Sequence, residues 1–178
     1  MPTLLRLRPY RPSDRETCLR LFESNVPASF TAEERADFAG FLDALPGPYL
    51  VVEEDSGRAV ACGGLATRDQ SAVLCWGMVD ALRQREGIGR VLLRVRLAQA
   101  CLLPGVTRVE MNTSNETAPF FEREGLHTVR VLEHFFRPGL HRHDMVGELG
   151  PELRRTLRER LASTLAEGHQ LAPGLLPG

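Results

Sequence analysis

Residues 84–89 read Q-R-E-G-I-G and lie where an apolar run gives way to a helical pattern. The first turn of a helix leaves about four backbone N–H groups without partners and carries roughly half a positive charge. Glycines at that point let a ligand reach those groups with no side chain in the way. Gly87 and Gly89 stand there, with Ile88 between them, and Arg85 and Arg90 flank them as ready partners for phosphate oxygens. The turn has the chemistry of a diphosphate cradle.

Two common nucleotide motifs are excluded. A P-loop needs a lysine after its second glycine, and all 22 basic residues of the chain are arginine. The dinucleotide pattern G-x-G-x-x-G is broken by Leu92, which stands where the third glycine belongs. Arginine cannot serve as a proton acceptor near neutral pH. A catalytic base would have to be a carboxylate, histidine, cysteine, tyrosine or water. Glu53, Glu54, Asp80 and Glu110 fall on or beside expected strands, where each also reads as an ordinary solvated or paired surface group. His134, His141, His143 and Asp144 cluster near the C-terminal strands. The pair in "HRH" would share one face of a strand, yet no metal-ligand spacing completes it, and no metal is expected.

These residues need a frame. "LLRLRP" alternates as a first strand, and "SDRETCLRLFES" follows as a helix that Ser13 or Asp14 can cap. "TAEERADFAGFLDAL" is a second helix with a Thr31–Glu34 capping box and Phe38, Phe41, Leu42 and Leu45 facing inward. "YLVVEE", "RAVACGGLATR" and "AVLCWGMVD" read as three consecutive strands. A helix over 89–103, with Val91, Leu92, Val95 and Leu102 on one side, leads to the strand "VTRVEMNTS", a short helix ended by Gly125, and two last strands. The order β-α-α-β-β-β-α-β-α-β-β predicts a mixed α/β layer: a mostly antiparallel sheet of about seven strands, with one parallel crossover and helices on its faces. After Gly150, "PELRRTLRERLASTLAEG" has leucines at 153, 157, 161 and 165, an amphipathic helix that could cover the body or meet a second copy as a homodimer; "HQLAPGLLPG" reads as a loose tail.

The chain has 178 residues, 43% apolar and 25% charged, with a formal net charge of -1. That suits one domain at 1–149 with a helical appendage at 150–178, and gives no sign of a nucleic-acid or membrane partner. The opening residues lack the apolar core of a secretion signal, so a cytoplasmic location is expected. Cys18, Cys62, Cys75 and Cys101 lack C-x-x-C spacing and read as reduced, buried thiols.

The Q-x-x-G-x-G pattern at Gln84 to Gly89, after a strand ending in "MVD", resembles the acyl-CoA signature of the GNAT superfamily of N-acetyltransferases. "VEMNTSNETAPFFEREGL" is similar to the superfamily's next block, through Val109, Met111, Asn115, Ala118, Phe121, Gly125 and Leu126, and "RLRPYRPSD" is similar to its opening. The resemblance covers about residues 4–149. It implies the acyl-CoA N-acyltransferase fold, with a splayed central strand pair, and acetyl-CoA as acyl donor to an amine of a small molecule or peptide, by direct transfer. It implies cofactor contacts at Met78, Val79, Gln84, Arg85, Glu86, Gly87, Ile88, Gly89, Arg90 and Asn115, and the backbone N–H of Val79 as oxyanion donor. Phe121 occupies the position where many relatives have a tyrosine thought to protonate the leaving thiolate. Phenylalanine cannot do so, which keeps open a second reading: an acyl-CoA sensor that binds but transfers poorly. Asn25 and Phe30, in a connection of lid-like composition, and Trp76, as core or as a wall of the slot, join His134 and His143 as candidate acceptor contacts.

Overall fold

A computed structural model describes residues 3–176. Eight strands form one sheet: β1 (Leu5–Pro9), β2 (Tyr49–Glu54), β3 (Ala59–Arg68), β4 (Ser71–Val79), β5 (Arg108–Ser114), β6 (His127–Arg137), β7 (Leu140–Glu148) and β8 (Gln170–Leu171). Their order is β6-β7-β5-β4-β3-β2-β1-β8. All neighbours are antiparallel except β4 with β5 and β1 with β8. The mixed, mostly antiparallel architecture expected from the sequence is present, with one strand more than the seven counted there. That strand comes from the segment read as a loose tail. Two residues are too short to show a period of two, yet they pair with Arg6 and Leu7, and Leu175 beyond them is buried.

Alternation along the strands sorts side chains to two faces. In β2, Tyr49 and Val51 join the core under α1 (Arg15–Ser24) and α2 (Glu34–Ala44), whereas Leu50 and Val52 join the core under α3 (Ile88–Leu102). α4 (Ala118–Arg123) and α5 (Pro151–Ala166) lie on the α3 face, where Ala118 and Leu157 share a core with Leu93 and Leu97. Three of the four leucines of α5 are engaged inside the chain: Leu157 is buried, while Leu153 and Leu161 pack on the two cores of that face. Arg94 of α3 forks onto Glu124 and also donates to Thr164 of α5, and Glu124 is approached by Arg160. This buried ion network ties α3, the end of α4 and α5 together.

Local expectations needed correction at three places. Asp14 does not cap α1 with its side chain. Its carboxylate accepts two bonds from Arg8 and one from the Arg11 N–H, closing a short 3-10 turn before the helix. Only half of the capping box forms, Glu34 accepting from the Thr31 N–H. Leu45 and Leu102 are exposed, because each stands at the last turn of its helix, past the point where the buried face meets the sheet.

Candidate active site

β4 and β5 are paired only where Ser71, Ala72 and Val73 meet Arg108, Val109 and Glu110. Beyond those residues the two strands part. β4 continues to Val79 and β5 to Ser114, each held only on its far side, by β3 and β7. A wedge-shaped opening thus runs through the centre of the sheet. On its β4 wall the register with β3 slips between Cys62 and Gly64, so that an extra residue bulges out beside Gly63, and Trp76 there has a φ of 44°.

The N-terminus of α3 stands at the wide end. Gly87 precedes the helix with a φ of 84° and no side chain caps it. The helical ladder starts with Val91 N–H to Gly87 O, so the N–H groups of Ile88, Gly89 and Arg90 have no intrahelical acceptor. A Cβ on Gly89 would lie 3.5 Å from Val79 Cγ2 and 4.0 Å from Phe120 Cζ, which fixes this corner against both β4 and α4. Arg85 and Arg90 are exposed beside it, Arg90 with only a loose contact to Glu167 at 3.9 Å. An uncapped helix start, cleared by a glycine and flanked by guanidinium groups, fits a diphosphate. Glu86 does not add to it through its side chain, which is paired with Arg83.

The mouth of the wedge is shaped by Asn25. Expected on an exposed lid, it is 3% exposed and cross-links three elements. Its Nδ2 donates to Leu21 O and Val79 O, and its Oδ1 accepts from Gln84 Nε2. The side chain of Gln84 is therefore spent on Asn25. Asp80 N–H donates to Val60 O. Successive amides of a strand alternate in direction, so the Val79 N–H faces the opening. The Met78 side chain leaves the sheet on its α1–α2 face, into the aromatic core there. Phe30 and Trp76 are brought together in that core, stacked or tilted against Phe22 and Phe38. His134 and His143 are not part of it. They lie in the β6–β7 hairpin, where His134 Nδ1 accepts from the Gly139 N–H and His143 meets Thr128 Oγ1. No group of three or more metal-type ligands is assembled among the described residues. Asn115 locks the end of β5 to β7, its Oδ1 accepting from the His141 N–H. Phe121 packs into the α3-side core with its edge on Phe120, and Phe120 is the aromatic that reaches the α3 corner. The adjacent Phe-Phe pair was the only sequence sign of this.

The four candidate bases are all held by arginine. Glu53 is bonded by Arg8 at 2.6 Å, Glu54 by Arg83 at 2.6 Å, Asp80 by Arg58 at 2.7 Å, and Glu110 by Arg68 at 2.7 Å. The Arg83 bond lowers the pKa of Glu54, and the Ser71 hydroxyl with Arg68 lowers that of Glu110. A polar recess of about 440 Å³ beside α1 contains Asp14, Glu53 and Asp80, each already paired, and lies apart from the wedge.

A family model described as "Acetyltransferase (GNAT) domain" matches residues 25–149. A protein assigned to the GNAT family from Desulfovibrio desulfuricans superposes with a TM-score of 0.66 at 25% identity, over 82% of this chain and 99% of its own. The ribosomal-protein-S18-alanine N-acetyltransferase of Escherichia coli gives 0.69 at 16%, over 83% and 95%. A mutant of the spermidine N-acetyltransferase of Vibrio cholerae gives 0.68 at 15%, over 85% and 98%. The last two are similar in fold. No curated protein matches the sequence.

Proposed function

We propose that this chain, which belongs to the GNAT family of acetyltransferases, moves an acetyl group from acetyl-CoA to the primary amine of a small molecule or a peptide. The observation that carries the reading is the uncapped start of α3 standing at the wide end of the gap between β4 and β5. In this reading the N–H groups of Ile88, Gly89 and Arg90 hold the diphosphate, with Arg85 and Arg90 as side-chain partners. The Val79 N–H, directed into the gap, donates to the thioester oxygen as charge develops on it. Asn25 and Gln84 brace the end of β4 so that this donor is held in place. Phe30 and Trp76 back the acceptor side. Rate enhancement comes mainly from holding the neutral amine against the thioester carbonyl. Its proton leaves to water, because the nearby carboxylates are committed to arginine.

A second reading is favoured by two specific observations. Phe121 carries no hydroxyl, and all four candidate bases are clamped. On that reading the protein binds acyl-CoA as a sensor and transfers slowly or not at all. Calorimetry with CoA, followed by thiol release from acetyl-CoA across a panel of amines, separates the two. Binding with amine-dependent thiol release supports transfer. Binding without release under any amine supports the sensor. Absence of binding at millimolar CoA defeats both.

A further inference from the structure

Arg96 sits in the third turn of α3, on the face turned toward the sheet, and is 4% exposed. Nε and Nη2 both donate to Gly64 O, at 3.1 and 2.8 Å, and Nη2 also reaches Cys75 O at 3.0 Å. The groups that act on its charge are Tyr49, Cys75 and Cys62, with no carboxylate among them. Burial pushes its pKa down to about 10, so it remains a cation at neutral pH. A buried charge without a counter-ion is expensive to keep. A chain that only needed to staple two carbonyls could do so with a neutral amide.

Nη1 donates to no acceptor among the described residues. Two glycines make its position possible: a Cβ on Gly77 would come within 2.5 Å of Nη1, and one on Gly63 within 3.2 Å of Cζ. Gly77 lies in the bulge of β4, beyond Val73, the last residue that β4 pairs with β5. The unspent donor therefore abuts the wall of the wedge between its apex and its mouth. The Arg96 side chain leans back toward the start of α3, so Nη1 beside Gly77 is two residues, roughly 7 Å, along β4 from Val79, which faces Gly89 of the cradle. The pantetheine arm has about the length of four extended peptide residues, on the order of 13 Å, and reaches that point without full extension.

We propose that Arg96 receives the negative charge that gathers on the sulfur of coenzyme A when acetyl leaves it. This rests on the acetyltransferase reading above. As the amine nitrogen bonds to the carbonyl carbon, the C–S bond breaks and its electron pair stays on sulfur. Arg96 keeps its own proton and stabilises the thiolate as a charge-assisted partner. The amine's proton goes to water. No acid is then required at Phe121.

The test is the ionisation of the thiol of bound CoA, followed by ultraviolet thiolate absorbance across pH in the intact protein. The expected midpoint lies about one pH unit or more below that of free CoA. Arg96→Lys should keep most of that displacement and Arg96→Met should abolish it. A bound thiol that ionises at or above the free value overturns the proposal, as does a displacement that survives in Arg96→Met. If Arg96→Met does not fold, Arg96→Gln, which can still bond a carbonyl but carries no charge, takes its place, and a displacement that survives in it overturns the proposal. CoA that binds with an unshifted thiol removes only Arg96 from the mechanism, whereas CoA that does not bind removes the acetyltransferase reading with it.

Discussion

Replacing Gly87 by alanine tests the cradle through backbone strain. Gly87 holds a φ of 84°, and a Cβ there would meet only Arg90 Nη2 at an ordinary 3.6 Å. Space is not the obstacle; the left-handed backbone is, at about 1–2 kcal/mol for a residue with a Cβ. That strain must appear somewhere. If the free protein keeps the turn, it is lost from folding stability. If the free turn relaxes, its N–H groups swing away and CoA must restore them, so affinity falls. The largest fall is then about 5- to 30-fold, the same energy expressed as a dissociation constant. Gly105, just beyond α3, gives the control: its φ is 74° and nothing lies within 4 Å. Gly105→Ala carries similar strain far from the cradle and should lower stability alone. Both variants are offset by a reduction in unfolded-state entropy worth about 0.4–1 kcal/mol. Calorimetry with CoA and urea melts on the three proteins measure both quantities. Equal affinity loss in the two variants, or a loss at Gly87→Ala far above 30-fold, would refute the argument.

Three other outcomes are expected. Glu124→Gln leaves Arg94 and Arg160 facing a neutral amide inside the α3–α5 contact and should cost about 2–3 kcal/mol, below the usual range for a broken buried pair because both arginines retain some solvent; a urea midpoint within experimental scatter of the parent would contradict this. Trimming the chain after Gly168 removes β8 and the buried Leu175 and should cost about 1–3 kcal/mol, read as a lower thermal midpoint with CoA affinity little changed. Stability should also fall in acid. Burial would raise the pKa of Asp14, but its bonds from Arg8 and the Arg11 N–H outweigh that and lower it, and Glu54 and Glu110 are lowered as well. Groups depressed in the folded state add stability above their unfolded values near 4 and lose it as pH falls through the folded ones. The thermal midpoint should therefore be level from neutral to about pH 5 and drop below about pH 4; a drop already complete at pH 5 would be inconsistent with it.

The strands were legible as short apolar runs bounded by turn residues: Tyr49 to Val52 serve two cores alternately and so read as one unbroken apolar run. The glycine corner was legible because its residue types are rare at a strand-to-helix junction. Arg96 was not, although it stands four residues after Leu92 and so on the buried face by period. Residue type argued for solvent, and only the glycines at 63 and 77, distant in sequence, create the room for it. Asn25 was misplaced for a related reason. A polar residue in a Pro-containing connection looks exposed until Leu21, Val79 and Gln84 are seen to converge on it. The tail failed because two ladder residues carry no periodic signal.

The arginine clamps on Glu53, Glu54, Asp80 and Glu110 bear on how this protein would identify its own acceptor. With those carboxylates engaged and Arg96 charged up to about pH 10, the rising limb of a rate profile below that pH would be written by the incoming nucleophile. An α-amine, half neutral near 7.7–8.0, would reach its plateau just above neutrality, while a lysine-like alkylamine would go on climbing toward about 10.4. The shape of that limb is thus a fingerprint of the acceptor class, obtainable before any acceptor has been crystallised.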